Sequence, residues 1–361
     1  MGFVVSRRFA HNLRISVARK IRRRPVTRDA PVVTHQPTDV RLGRIVSLLL
    51  EHATVVVSGT KIAQEISCSR SEVWRLIQQL RTLGVDVAGH PATGYQLRSV
   101  PDLLLPDILQ PMLRGTIFDG DIHHFYKIGS TNIAAMTAAA AGASEGSVFL
   151  AEQQTTGRGR GSNSWHSPRS SGIYCSVILR PALPPSDALM LSLAAGLAVQ
   201  AAIRQVDPKT YPDLKWPNDL LVEGKKLSGI LTEMNAEATR VRFIVVGIGI
   251  NVNQVGFPED LDAISLRQAT GREWSRVELV ASLLKSLDRE YREIVANPGA
   301  RESILCRFAE NSSWVRGKPV TVTENGGSVH GMTEGLDDRG FLRVRTAAGL
   351  ETVFSGTVRA N

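Results

Sequence analysis

Residues 153–165 read QQTTGRGRGSNSW: three glycines alternating with two arginines, then a small polar run and a tryptophan. The stretch is compatible with a flexible RNA-binding tract, a phosphate cradle or a solvated surface loop, and its surroundings narrow the choice. It follows an apolar strand, GSVFLAEQ (146–153), but opens no helix. Where a GxGxxG fingerprint needs its third glycine the chain has Ser162, so a dinucleotide-binding βαβ unit is excluded. No Walker-type phosphate loop, GxSxG elbow, HExxH helix or Ser/His/Asp order is found either. What remains is glycine backbone that can come close to a ligand. Arg158 and Arg160 add planar, permanent charge for a carboxylate or a phosphate.

Outward from this loop, strand patterns (HHFYKIG, SGIYCSVILRP, RFIVVGIGINVN) mix with helices expected over 132–141, 187–204 and 276–297. The mixture reads as an α+β domain over residues 122–314. Polar loops sit at its element ends. GSTN (129–132) precedes an alanine-rich helix, so Ser130 or Thr131 stands where backbone N–H groups gather and anions bind, unless it is an ordinary N-cap. KWPNDL (215–220) packs a cation, an aromatic, an amide and an acid together. EGKKLSG (223–229) reads as a hairpin turn presenting Lys225 and Lys226, and GIGINVN (247–253) ends a buried strand in amides. Each has a bland reading as turn solvation or a strand end. Together they suit an acidic ligand and a nucleotide, with a metal ion as an option. No enzyme nucleophile is evident, and attack of a carboxylate on the α-phosphorus of ATP needs none. It needs charge neutralisation, alignment and exclusion of water.

Upstream, residues 39–97 carry another pattern. Val40, Leu42, Ile45, Val46 and Leu49 share one helix face, and TVVV (54–57) reads as a short strand. The helix opening at CSRSEVWRLIQQLRTLG has Ser69 as N-cap with Glu72 completing a capping box, an apolar stripe of Val73, Leu76, Ile77 and Leu80, and Gly84 at its end. Two helices, a tight turn, a longer helix and a hairpin follow the winged helix-turn-helix order. The N-terminal end of the last helix would enter the major groove, offering Ser69, Arg70, Ser71, Trp74, Arg75 and Gln78 to DNA. A winged helix kept only as a spacer or dimer arm is the alternative.

The 43 basic against 34 acidic residues give a net charge of +9, and nine Arg and Lys lie within residues 1–28, which hold no acid. The excess therefore belongs to a basic tail (1–38), read as a solvated arm or a non-specific DNA-binding arm, and not to a folded face. The three cysteines, Cys68, Cys175 and Cys306, are scattered and form no zinc spacing, so a reducing cytoplasmic setting is expected. No run of eighteen apolar residues occurs, so no membrane partner is expected. Prolines 101, 106 and 111 make 98–121 a semi-rigid linker with one short helix. After Trp314, short β runs broken by Gly and Asn/Asp turns make 315–361 a small all-β barrel.

In this order GSTN, QTTGRGRG with its tryptophan, KWPND, KKLSGIL and GIGINVN resemble the bifunctional biotin–protein ligase and biotin operon repressor family, over roughly residues 39–361. The resemblance implies a winged helix, a central α+β ligase domain and a C-terminal SH3-like β-barrel. It implies that biotin and ATP give biotinyl-5′-AMP and pyrophosphate, after which biotin passes to a lysine of the biotin carboxyl carrier domain of biotin-dependent carboxylases. Carried over by motif, Ser130, Thr131, Gln154, Gly157, Arg158, Arg160, Lys226 and Gly229 line the biotin site. ATP falls to Arg160, Trp165, Asn218, Lys226 and Asn251, with Trp165 and Asn251 on adenine. Arg160, Lys226 and Asp219 are the catalytic residues, and Asn218 and Asp219 the Mg2+ positions. The family also implies operator DNA as a partner and a homodimer when liganded. One departure stands out: the repressor-type members continue the loop with more basic residues, whereas this chain has Gly161-Ser162-Asn163-Ser164. That departure bears on the regulatory role and not on ligation. A biotin-sensing repressor without ligation and a lipoate–protein ligase are the competing readings.

Overall fold

The computed structural model describes residues 37–99, 102–297, 299–324 and 327–361. The basic stretch 1–28 lies outside the described residues. Helix α1 (Pro37–Glu51) buries Leu42, Ile45, Val46 and Leu49, while Val40, expected on the same face, stays exposed in the first turn. Helix α2 (Gly59–Glu65) is capped by Ser58, and α3 (Arg70–Thr82) by Ser69, which accepts from the Glu72 amide. The box expected at α3 is half made, because the Glu72 carboxylate turns to Arg75 at 2.7 Å. TVVV is no strand: only Val57 pairs, in a single bridge to Tyr95 of the wing. The wing is β1 (Val87–His90) with β2 (Gly94–Leu97), and their hydrophobic faces close the core over α1–α3.

The linker folds into α4 (Pro106–Leu113), with Pro106 in its first turn where no amide partner is lost. The central sheet has seven strands in the order β3-β4-β5-β9-β8-β7-β6: β3 (Ile122–Phe125), β4 (Val148–Ala151), β5 (Gly172–Leu179), β6 (Asp213–Lys215), β7 (Asp219–Val222), β8 (Lys225–Ala236) and β9 (Val241–Asn251). Only β3 and β4 run parallel. Helix α5 (Thr131–Ala140) covers one face, and α6 (Ala188–Val206) with α8 (Arg276–Ala296) covers the other. Residues 185–206 are long and apolar enough to cross a membrane, but 78% of that window is buried, which marks α6 as the core helix of this domain. Helices α7 (Leu266–Thr270) and α9 (Ala300–Glu310) complete the layer.

Strands β6 to β8 and helix α9 were not expected from the pattern. The hairpin turn expected over EGKKLSG is confined to Glu223-Gly224, and Lys225 already begins a twelve-residue strand. The C-terminal unit is antiparallel in the order β13-β12-β11-β10-β14, from β10 (Arg316–Glu324), β11 (Gly327–Leu336), β12 (Leu342–Thr346), β13 (Gly349–Val353) and β14 (Thr357–Ala360). Its Val320, Val322, Leu342 and Val344 join the ligase-side core, and Trp216 Nε1 donates to the Gly340 carbonyl at 2.8 Å, so this unit is fastened to the KWPND segment.

Candidate active site

One lateral row crosses the sheet: Tyr174 on β5 pairs with Gly249 on β9, Gly249 with Gly229 on β8, Gly229 with Asp219 on β7, and Asp219 with Lys215 on β6. Directly paired residues share a sheet face, so the row is a floor, bare at its centre and charged at one end. The Trp165 ring lies on the bare part. A Cβ on Gly249 would come within 2.4 Å of its Cε2, and one on Gly229 within 3.0 Å of its Cζ3. Gly247, one step along β9, makes room for Asn132, whose Oδ1 would stand 2.1 Å from an added Cβ. The glycines of GIGIN are therefore a shape requirement. They floor a cleft of about 440 Å³, partly open to solvent, walled by the α5 N-terminus, the GRGR loop and the Lys226 end of β8.

At the α5 end the polar groups form a chain. Ser176 donates towards Thr131 Oγ1 (2.8 Å) or Asn132 Oδ1 (2.7 Å), and Thr131 donates its amide and hydroxyl to Gln154 Oε1 at 2.9 and 3.1 Å. Gln154 Nε2 donates to Ser167, which donates to the Trp165 carbonyl. Ser130 is the N-cap by position, yet its side chain makes no capping bond. Gly157 is buried against the Trp165 carbonyl and Ser167. This wall presents donors and acceptors locked by one another, as recognition of a small polar heterocycle requires.

The two arginines of the loop are held differently. Arg158 pairs with Glu233 on β8 at 3.1 Å, and Glu233 also accepts from Asn132 Nδ2 at 3.0 Å. Arg160 donates to the Gly356 carbonyl of the C-terminal unit. At the charged end Lys226 Nζ stands 2.7 Å from Asp219 and 5.6 Å from the centre of the Trp165 ring. Asn218 donates its side chain to the Ile230 carbonyl at 2.9 Å. Trp165 Nε1 is buried and makes no hydrogen bond among the described residues. An unmet buried donor costs about 1–3 kcal/mol, and an acceptor on a ligand in the cleft would relieve it.

Residues 128–251 match the biotin/lipoate A/B protein ligase family, residues 41–96 an HTH domain, and residues 316–359 the biotin protein ligase C-terminal domain. The bifunctional ligase/repressor BirA of Bacillus spizizenii is 34% identical over 318 residues, covering 87% of this chain and 97% of that one. BirA of Escherichia coli is 30% identical over 79% of this chain and 87% of its own. The chain belongs to the biotin protein ligase family. Among solved structures it resembles the Aquifex aeolicus biotin protein ligase in complex with biotin and ATP, with a TM-score of 0.58 and 29% identity, over 67% of this chain and 100% of that one.

Within this biotin ligase fold most motif residues converge. Ser130, Thr131, Gln154, Arg158, Arg160, Trp165, Asn218, Lys226 and Gly229 all face one cleft. Asn251 is set back from it: buried, it donates to the Lys226 carbonyl at 3.2 Å and accepts from Gln254, so it buttresses the start of β8. Asn132, Ser176 and Glu233 belong to the wall but were not singled out from the sequence. The signal for Glu233 was the alternation of 229, 231 and 233, visible only once β8 is known as a strand. Cys175 backs the cleft, and burial pushes its thiol up to about 12, which makes it inert at neutral pH. On α3, Ser69, Arg70, Ser71, Trp74 and Arg75 are exposed and Gln78 half-buried, with Arg75 forked on Glu72.

Proposed function

We propose that the chain is an ATP-dependent, AMP-forming biotin–protein ligase that is also a biotin-responsive transcriptional repressor. The observation that carries the ligase reading is the one cleft that joins the Thr131–Gln154 relay, a glycine floor and Lys226, with Asp219 paired to Lys226 behind it. Biotin lies with its ureido ring at the relay and its carboxylate towards Lys226. A carboxylate oxygen attacks the α-phosphorus of ATP, the bond to the bridging oxygen breaks, and pyrophosphate leaves. Lys226 faces the charge that builds on the α-phosphate, and Arg160 leaves its backbone partner to close over the mixed anhydride. In the second step a carrier lysine attacks the acyl carbon, AMP departs with the phosphate oxygen, and Asp219 takes the lysine proton.

Among the described residues no group of three His, Cys, Asp or Glu gathers. A Mg2+ ion fits where one carboxylate and one amide oxygen, Asp219 and Asn218, meet the nucleotide phosphates, because magnesium takes few protein ligands beside phosphate and water. It would neutralise phosphate charge there. The substrate lysine belongs to a biotin carboxyl carrier domain, and a liganded homodimer is the form that grips an operator. The test of ligation is transfer of biotin to a purified carrier domain with ATP and magnesium: labelled carrier supports the reading, and none defeats it. Lipoate offered in place of biotin should give no transfer.

A further inference from the structure

The row that floors the cleft does not stop at Asp219. Its last member, Lys215, shares that face and is half-buried, and its ammonium makes no ion pair or hydrogen bond among the described residues. Its ammonium sits 4.4 Å from the centre of the Trp314 ring, and Lys318 sits 5.1 Å from the same ring. Burial works against the Lys215 cation and lowers its pKa; Asp219 and, more weakly, Asp262 support the charge, while Lys226 and Arg359 repel it. Asp219 is meanwhile committed to Lys226 at 2.7 Å. A cation with no direct counter-ion is thus held at the end of the row whose glycines floor the cleft, beside Lys226 and Arg359 and sharing the Trp314 ring with Lys318. Two of the groups that surround it, Trp314 and Arg359, come from the end of the chain.

We infer that Lys215 binds the terminal phosphates of the nucleotide, the part that leaves as pyrophosphate, with Trp314, at the junction to the C-terminal unit, and Arg359 of that unit completing the subsite. This rests on the ligase reading, which itself assigns no residue to the leaving group. The geometry supplies the logic. With Lys226 at the α-phosphate, the next cation along the row lies where the chain of phosphates continues. A polyanion placed there would relieve the mutual repulsion of Lys215, Lys226 and Arg359 and offset the cost of burying the Lys215 cation. The competing role for Lys215 is purely structural, an anchor for Trp314.

The full chain is titrated with inorganic tripolyphosphate and, separately, with AMP, each with magnesium, and the KM values for ATP and biotin are measured. Lys215→Met keeps the aliphatic packing on Trp314, and Lys215→Arg keeps the charge. The Met variant is expected to lose tenfold or more in tripolyphosphate affinity and to raise the KM for ATP likewise. AMP affinity and the KM for biotin should move less than twofold, and the Arg variant should recover most of the loss. Unchanged tripolyphosphate binding in the Met variant, or equal losses for tripolyphosphate, AMP and biotin, overturns the assignment. Failure of the wild-type chain to form any adenylate would instead defeat the ligase reading, independently of how the Met variant binds tripolyphosphate.

Discussion

Gly249 carries more of the cleft than any charged residue does, because the Trp165 ring occupies the place where its side chain would be. Gly249→Ala is therefore expected to lift the indole off its floor. Overpacking of this kind costs about 1–3 kcal/mol, so the variant should still fold, with ATP and biotin affinity down at least tenfold by titration. Wild-type affinity in a folded Ala variant would show that the ring is free to move aside. Arg160 makes a different demand. It reaches across to the Gly356 carbonyl of the C-terminal unit, a neutral acceptor that a phosphate oxygen can replace. Arg160→Gly should still form the adenylate yet release it, labelling bystander lysines in a protein mixture probed for biotin. Label confined to the carrier would remove Arg160 from the clamp role. These residues were legible in the sequence because their chemistry clusters within short motifs. Glu233, Asn132 and Ser176 were not, since each acts through a partner 44 to 101 positions away.

At the scale of elements, the junction between the winged helix and the ligase sheet is locked by a buried ion cluster. Arg276 at the start of α8 reaches Glu152 at 2.7 Å and Asp102 at 2.9 Å, and Glu152 also meets His124 at 3.1 Å and accepts from the Leu104 amide. Burial alone would push the Glu152 carboxyl up; Arg276, together with the contacts from His124 and Leu104, outweighs it and holds the group at about 2. A depressed carboxyl contributes stability that is fully present above its ordinary pKa of 4.5 and is lost as pH falls towards 2. Glu152→Gln should thus be less stable at pH 7, by about 3 kcal/mol for a broken buried pair. Its denaturation midpoint should also fall less steeply than that of wild type between pH 4.5 and 2. Parallel acid profiles for the two proteins would exclude Glu152 as the titrating group. Nothing in the sequence foretold this cluster, because its members lie far apart and each alone reads as a solvated charge. The same limit hid β6 to β8: their runs are short or mix glycine and lysine with the apolar residues, and only the ladder that runs from β9 through β8 and β7 to β6 makes them strands. The long apolar helices α5, α6 and α8 were legible, since their period survives without tertiary context.

For the whole molecule the order winged helix, ligase domain, β unit follows from local patterns. What those patterns do not convey is how the first two touch. The loop that leaves Trp165 passes Ser167, which holds Gln154 in the cleft, and two residues later Arg169 Nη1 donates to the Thr82 carbonyl at the end of α3 at 3.3 Å. One short segment therefore joins a wall of the ligand cleft to the recognition helix, whose exposed Arg70, Trp74 and Arg75 face away from the core. If ligand reorders this loop, α3 is the element that shifts with it, and coupling between two sites is reciprocal. The wild-type chain should shift DNA from the region upstream of its organism's biotin genes more strongly with biotin and ATP than without. Arg169→Ala should bind that DNA at the unliganded strength, lose most of the ligand-driven gain, and transfer biotin at the wild-type rate, because Arg169 touches neither the cleft floor nor Lys226. A full ligand response in the variant would move the coupling to the Glu152–Arg276 junction or to a dimer surface. Loss of ligand response and transfer together would mean that the segment serves the cleft alone.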